Sequence, residues 1–242
     1  MQLALDKFYA FLDRPLFMRS RVVLLLLVVP LALTMTQPLW RISMTAPQYP
    51  DGLYLEIYAH KIDGGNDGQH IKEINTLNHY IGMRKIDRAE LSDLDWIPFG
   101  IGLLVLLTLR CAAIGNVRAL VDLGVVALYI GGFAFFKFVY KMYVFGHNLD
   151  PGAPIKLEPF TPAVFGTKHI ANFTTSSYPQ LGAIYIAIFF AGVLGVLGWH
   201  LIAGRRQAMR AAPPTASPPK ATPPEPSPPE TASQAGPPDA TP

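Results

Sequence analysis

Residues 22–40 read VVLLLLVVPLALTMTQPLW, a run of 19 residues without a formal charge. At about 1.5 Å of rise per helical residue, such a run covers the roughly 30 Å hydrocarbon core of a bilayer. It is longer than the apolar region of a cleavable signal peptide, roughly 7–15 residues, and it follows a long charged leader. The run therefore predicts an uncleaved membrane-spanning helix, with a cleavable signal peptide as the alternative.

Three further apolar runs have the length of a membrane span. Residues 96–114 and 181–204 are almost free of charge. The third run, residues 119–140, holds Asp122 near its start and Lys137 near its end. A charge near the end of a span reaches water at low cost, so this run is kept as a span. We predict a mainly α integral membrane protein with four transmembrane helices.

Lysine and arginine near the span ends predict the orientation, because cytoplasmic loops carry an excess of both. They cluster in the leader, in the link between the second and third spans, and after the fourth span. We therefore expect a multi-pass protein of the bacterial cytoplasmic membrane, with both termini in the cytoplasm. The predicted order is a leader (1–21), spans at 22–40, 96–114, 119–140 and 181–204, extracytoplasmic segments at 41–95 and 141–180, and a cytoplasmic tail (205–242).

The composition restricts the partners. The net charge of +3 comes largely from these basic span ends, and no basic face interleaved with aromatic residues predicts nucleic-acid binding. Within the tail, residues 211–242 contain 12 prolines among 32 residues and no large aliphatic or aromatic side chain, which predicts disorder with a polyproline-II bias. The expected partners are the lipid bilayer and other membrane or periplasmic proteins.

The first extracytoplasmic segment is predicted to form a small α+β lobe between the first two spans. Apolar and polar residues alternate over 53–60, as in a half-buried strand, and 63–68 read as a glycine-rich turn. Residues 69–81 keep a helical period. A single strand needs a partner, which residues 83–86 or another chain would supply. Segment 141–180 is rich in proline and glycine, and is expected to be an ordered loop rather than a domain.

Five of the six histidines fall in the two extracytoplasmic segments. His79 and Met83 are spaced i, i+4 and would share a helix face if the helix persists that far. Imidazole and thioether together suit copper, particularly Cu(I). Alternatively, His79 only caps or packs. The candidate metal ligands are His79 and Met83, with His60, His70, His147 and His169 as neighbours that are otherwise solvated.

Two other methionines lie close to the outer boundary of the membrane. Met44 follows the first span and Met142 follows the third. Either of them could join a soft-metal site, although methionines at such positions also make ordinary apolar contacts.

Several enzyme classes lack their residues. Cys111 is the only cysteine, so cysteine pairs and the Cys-x-x-Cys-His haem motif are missing from the sequence. The sequence also contains no His-Glu-x-x-His, no P-loop and no Gly-x-Ser-x-Gly. We predict that the protein is not an enzyme.

The stretch EINTLNHYIGM, residues 73–83, resembles small multi-span accessory membrane proteins of copper-enzyme maturation systems of the nitrous-oxide-reductase type. The resemblance implies a role in delivering, sensing or retaining copper outside the cytoplasmic membrane, with His79 and Met83 as the residues involved. The predicted function is a non-enzymatic accessory protein whose lobe binds or hands over copper, or docks a copper-handling partner. The alternatives are a structural or assembly subunit of a larger membrane complex with no metal of its own, and a small transporter.

Overall fold

The computed structural model describes residue 6 and residues 9–170 and 172–211. The chain divides into two compact units, Met1–Gly204 and Arg205–Pro242, and the fold described here belongs to the first. The predicted disordered tail lies, from residue 212 onward, outside the described residues.

The architecture is mixed α+β rather than mainly α, because the segments between the helices build a five-stranded sheet. A short 3-10 turn, Ser92–Leu94, precedes the second long apolar helix. The other elements in chain order are α1 (Met18–Leu33), β1 (Trp40–Ala46), β2 (Tyr49–Ile57), β3 (Ile62–Gly64), α2 (Gln69–Tyr80), α3 (Ile97–Ile114), α4 (Val117–His147), β4 (Gly166–Ile170), β5 (Phe173–Pro179) and α5 (Leu181–Ala211).

Three of the predicted spans are confirmed as helices that are long and apolar enough to cross a membrane. They are α3, α4 and the part of α5 from Leu181 to Ala203. Helix α4 is longer than the predicted 119–140 and continues to His147. Its last turns therefore extend past the predicted end of the span and meet the sheet.

The first apolar run folds differently from the prediction of a helix over 22–40. Helix α1 has 16 residues, Met18–Leu33, and rises about 24 Å. The hydroxyls of Thr34 and Thr36 bond back to carbonyls of the preceding turn at 3.1 and 2.8 Å. Pro38 disfavours helical geometry in the residue before it. The helix therefore ends before the apolar run does, and β1 begins at Trp40.

Helix α1 nevertheless runs from one end of the helix bundle to the other. Just before its start, the Leu16 amide donates to the Gly115 carbonyl at 2.8 Å, in the turn between α3 and α4. After its end, the Leu39 amide donates to the Ile57 carbonyl at 2.8 Å, at the end of β2. The first helix thus leads from the α3–α4 turn to the sheet, antiparallel to α3.

The bundle consists of α1, α3, α4 and α5, and apolar side chains from all four hold it together. A buried hydrogen bond between His200 Nε2 and Ser20 Oγ, 3.0 Å long, also joins α5 to α1. Buried members of the core from the four helices include Leu24, Leu31, Leu104, Leu120, Leu123, Phe189 and Val193.

The sheet is antiparallel throughout and has the strand order β3-β2-β1-β5-β4. The partners expected for the 53–60 strand were wrong, because β2 pairs with β1 and β3 rather than with residues 83–86 or another chain. Segment 141–180 was also mispredicted as a loop, because it supplies β4 and β5. One lobe is therefore built from both segments.

Helix α2 confirms the helical period read from residues 69–81. It packs on one face of the sheet, called here the inner face. This face carries Ile42 and Met44 of β1, Leu53 and Leu55 of β2 and Phe173 of β5. The buried residues that α2 and the residue after it contribute are Ile74, Leu77, Asn78 and Ile81.

The pairing of β1 with β5 can be tested by a cross-strand disulfide. Ser43 and Ser176 lie directly opposite each other, about 4.5–5.5 Å apart at Cα, which a disulfide can bridge. We expect Ser43→Cys/Ser176→Cys, in a Cys111→Ser background, to cross-link on mild oxidation, with a mobility shift on a non-reducing gel.

The control pair is Ser43→Cys with Thr167→Cys. Thr167 lies opposite Ser176 on β4, so it is two strand spacings, roughly 9–10 Å, from Ser43 and beyond disulfide reach. Equal cross-linking of both pairs would contradict the strand order.

Candidate functional site

The predicted histidine ligands do not form one cluster. Among the residues that the structure describes, no group of three or more histidine, cysteine, aspartate or glutamate side chains is placed to hold a metal ion. His60 is exposed in the bend after β2, and its carbonyl accepts a hydrogen bond from Arg88 at 3.2 Å. His70 Nδ1 accepts the amide hydrogen of Tyr54 at 3.3 Å, and the two rings meet edge to face.

The two histidines of the second segment are also occupied locally. His147 donates from Nδ1 to the Tyr143 carbonyl at 3.0 Å, and its ring stacks on Tyr143 with 3.7 Å between centroids. His169 Nδ1 lies 2.9 Å from Thr174 Oγ1, on β4 and β5. Each of these two rings therefore has a local neighbour. Such contacts fit the alternative to metal binding, in which the histidines are solvated or packed.

The condition for a shared face of His79 and Met83, a helix that persists as far as Met83, is not met. Helix α2 ends at Tyr80, and Gly82 has a φ of +76°, which reverses the chain. The Met83 amide returns to the Asn78 carbonyl at 2.8 Å, as at a glycine-terminated helix end. His79 is exposed, whereas Met83 packs against the apolar cluster under the sheet.

Three methionines of the lobe line the same cavity. Met44, Met83 and Met142 line one cavity of about 80 Å³. It lies between the inner face of the sheet, the end of α2 and the C-terminal end of α4, and is called here the methionine cavity. Its other lining residues are apolar except for Asn78 and Thr175, and none is charged.

Each methionine reaches the cavity from a different element. Met44 lies opposite Leu53 on β2 and Thr175 on β5, and the alternation of β1 directs it to the inner face. Met142 comes from the part of α4 beyond residue 140. Met83 follows the reversal at Gly82. All three side chains are half-buried rather than sealed off.

Two asparagines of α2 fix the segment that carries Met83. Asn75 donates from Nδ2 to the Ile86 carbonyl at 3.0 Å and accepts the Ile86 amide at 2.7 Å. Asn78, which is 1% exposed, donates to the Arg84 carbonyl at 3.5 Å. Both side-chain amides pair with backbone groups of residues 84 and 86, so residues 83–86 are held against α2.

The reversal at Gly82 is also braced by the second segment. The Asp150 amide donates to the Gly82 carbonyl at 2.8 Å. A Cβ at position 82 would lie 2.9 Å from the Asp150 amide nitrogen and carbonyl oxygen, closer than any real Cβ contact. Only glycine fits there, both for its positive φ and for this contact.

The lobe groups with shifted pKa values lie on the β2–β3 hairpin, and none lines the methionine cavity. The hydrogen bond from Lys61 lowers the pKa of the Asp63 carboxyl, and burial raises the pKa of the Tyr58 hydroxyl. The cavity therefore presents neutral thioethers and no acid or base, which suits a soft metal ion and not proton transfer.

The sequence predicted that Met44 or Met142 could join a soft-metal site, and both line one cavity with Met83. It did not indicate the part played by Asn75. The chain matches no protein-family model, no curated protein and no solved structure. The chemistry of the cavity therefore rests on its own residues.

Substitution of Gly82 tests how Met83 is placed. We expect Gly82→Ala to lower the free energy of unfolding by more than the roughly 1–2 kcal/mol that a left-handed backbone costs a non-glycine residue, because the Asp150 backbone must also move. Thermal unfolding followed by tryptophan fluorescence measures the change.

Gly68→Ala is the matched control. Gly68 has a φ of +81°, but a Cβ added at this position would meet nothing within 4 Å. Gly68→Ala should therefore lower the free energy of unfolding by the cost of the left-handed backbone alone. Equal destabilisation by the two substitutions would mean that the contact with Asp150 does not constrain the turn.

Proposed function

We propose that the protein is a non-enzymatic accessory protein of a bacterial cytoplasmic membrane, whose lobe lies outside the cytoplasm and binds copper in order to retain it or hand it to a partner. The observation that carries the proposal is the methionine cavity. All three methionines of the lobe line one apolar space. Thioethers are soft ligands that favour Cu(I) over harder ions.

The path of α1 supports four membrane crossings and a lobe that lies wholly on one side of the membrane. Although α1 is short, it starts beside the α3–α4 turn and ends beside the sheet, so its two ends lie where those of a further membrane span would. The end away from the sheet carries Arg14, Arg19, Arg21 and Arg118. The positive-inside rule assigns that end to the cytoplasm, and the lobe accordingly to the outer side.

The alternative function, a structural or assembly subunit without metal, is favoured by a different observation. Phe165 and Tyr178 form an exposed aromatic pair, with 5.6 Å between centroids and exposures of 70% and 44%. They lie beside β4, the last strand of the sheet. Exposed aromatic residues beside an edge strand are typical of a protein contact.

A photo-crosslinking side chain at position 165 tests this alternative in intact membranes. A protein adduct at 165, absent when the same group replaces the exposed Thr45 on the central strand β1, would support an assembly contact. Adducts with lipid alone would assign the pair to the membrane surface and contradict that function.

Copper binding by the purified full chain tests the main proposal. We expect the protein in detergent, under reducing conditions, to take up about one equivalent of Cu(I) in competition with a chromophoric Cu(I) chelator. Zn(II), which prefers imidazole, thiolate and carboxylate ligands, is the control ion and should not bind. No uptake of Cu(I) would reject the copper function.

A further inference from the structure

We propose that Met44, Met83 and Met142 together form a three-thioether site that binds Cu(I) and discriminates against Cu(II) and Zn(II). The inference rests on the proposed function, because it assigns the ligands and the oxidation state of the copper. It keeps Met83 as a ligand but replaces His79 with Met44 and Met142, which only the fold brings to the same cavity.

The chemistry of the lining sets the selectivity. Thioether sulfur is neutral and polarizable, and it suits Cu(I). Cu(II) and Zn(II) carry a second positive charge, and their usual ligands are imidazole, thiolate or carboxylate. Among the described residues, no such group lines the cavity. Burying a divalent ion there would leave its charge uncompensated, at a much larger desolvation cost than for a monovalent ion.

The space and the flexibility of the side chains allow coordination. The cavity, at about 80 Å³, is larger than the roughly 30 Å³ that one water molecule occupies in the liquid. Methionine is unbranched and has three rotatable bonds, so its sulfur can move within such a space. Taking zinc–sulfur bonds of about 2.3 Å as a guide, three coordinating sulfurs would lie roughly 4 Å apart.

The competing explanation is that the methionines only fill an irregular core. Met35 serves as the internal comparison, because it packs against the core of the bundle and does not line the methionine cavity. Leucine nearly conserves the volume of methionine but removes the sulfur. Methionine-to-leucine substitutions therefore separate coordination from packing.

The ligand test titrates Cu(I), and Ag(I) as its redox-inert analogue, into the full chain in detergent. We expect Met44→Leu, Met83→Leu and Met142→Leu each to weaken binding about tenfold or more, equivalent to about 1.4 kcal/mol, and the triple variant to lose it. Met35→Leu and His79→Ala should bind like the unsubstituted protein. Thermal unfolding confirms that each variant is folded.

The pH dependence supplies a second readout that packing does not affect. Thioethers carry no titratable proton, so we expect equal Cu(I) affinity at about pH 7.5 and about pH 5.5. A site that needs neutral imidazole would lose about tenfold over this interval, because the usual pKa of histidine is about 6.5.

Asn75→Ala tests whether the affinity for Cu(I) depends on the placement of Met83. Asn75 is a positioning residue, since it holds Ile86 and does not line the methionine cavity. We expect a drop in Cu(I) affinity of roughly tenfold, within the range seen when supporting residues of metal sites are removed. Asn75→Asp, which keeps the acceptor for the Ile86 amide, should restore part of the affinity.

The outcomes separate the two proposals. Binding that survives in the triple methionine variant, or that is lost in His79→Ala, would overturn the three-thioether site and leave the copper function standing. Failure of the unsubstituted protein to bind either Cu(I) or Ag(I) would overturn both.

Discussion

The pairing of β1 with β5 is the constraint on which the rest of the lobe depends. It joins strands that are far apart in the chain, from Trp40 opposite Pro179 to Thr45 opposite Thr174. At the end of β1 nearest α1, the Trp40 indole donates to Ser177 Oγ at 2.6 Å, and Ser177 is fully buried. Since β1 follows α1 and β5 leads into α5, the same pairing sets these two helices side by side where they enter the sheet.

The methionine cavity follows from that pairing. With β5 beside it, β1 is a central strand, and one of its faces must be covered. Helix α2 and the C-terminal end of α4 cover that face, and Gly82 turns the chain so that Met83 is added to the same wall. A space with three thioethers and no charge results from the meeting of three elements that are distant in sequence.

Composition and periodicity sufficed for the parts of the fold that are local. The apolar runs identified three spans, and the spacing of Ile74, Leu77 and Ile81 identified α2. The first helix was placed too far along the chain, because hydropathy alone does not register how Thr34, Thr36 and Pro38 end the helix. Strand β1 was not predicted for the same reason, because its first residue, Trp40, belongs to the apolar run.

The sheet partners and the candidate site could not be predicted, since they depend on long-range pairing. Strand β5 is mostly threonine and serine, so the alternation of buried Phe173, Thr175 and Ser177 carries little hydrophobic signal. The i, i+4 spacing of His79 and Met83 was misleading because it assumed a helix through Gly82. Nothing local in the sequence indicates that Met44 and Met142 would line the same cavity as Met83.

X-ray absorption at the copper edge of the Cu(I)-loaded full chain tests the central claim most directly. The three-thioether site predicts a shell of about three sulfur scatterers near about 2.3 Å, taking zinc–sulfur bonds as the guide, and no imidazole pattern. A shell of nitrogen or oxygen scatterers, or the multiple-scattering pattern of histidine, would contradict it.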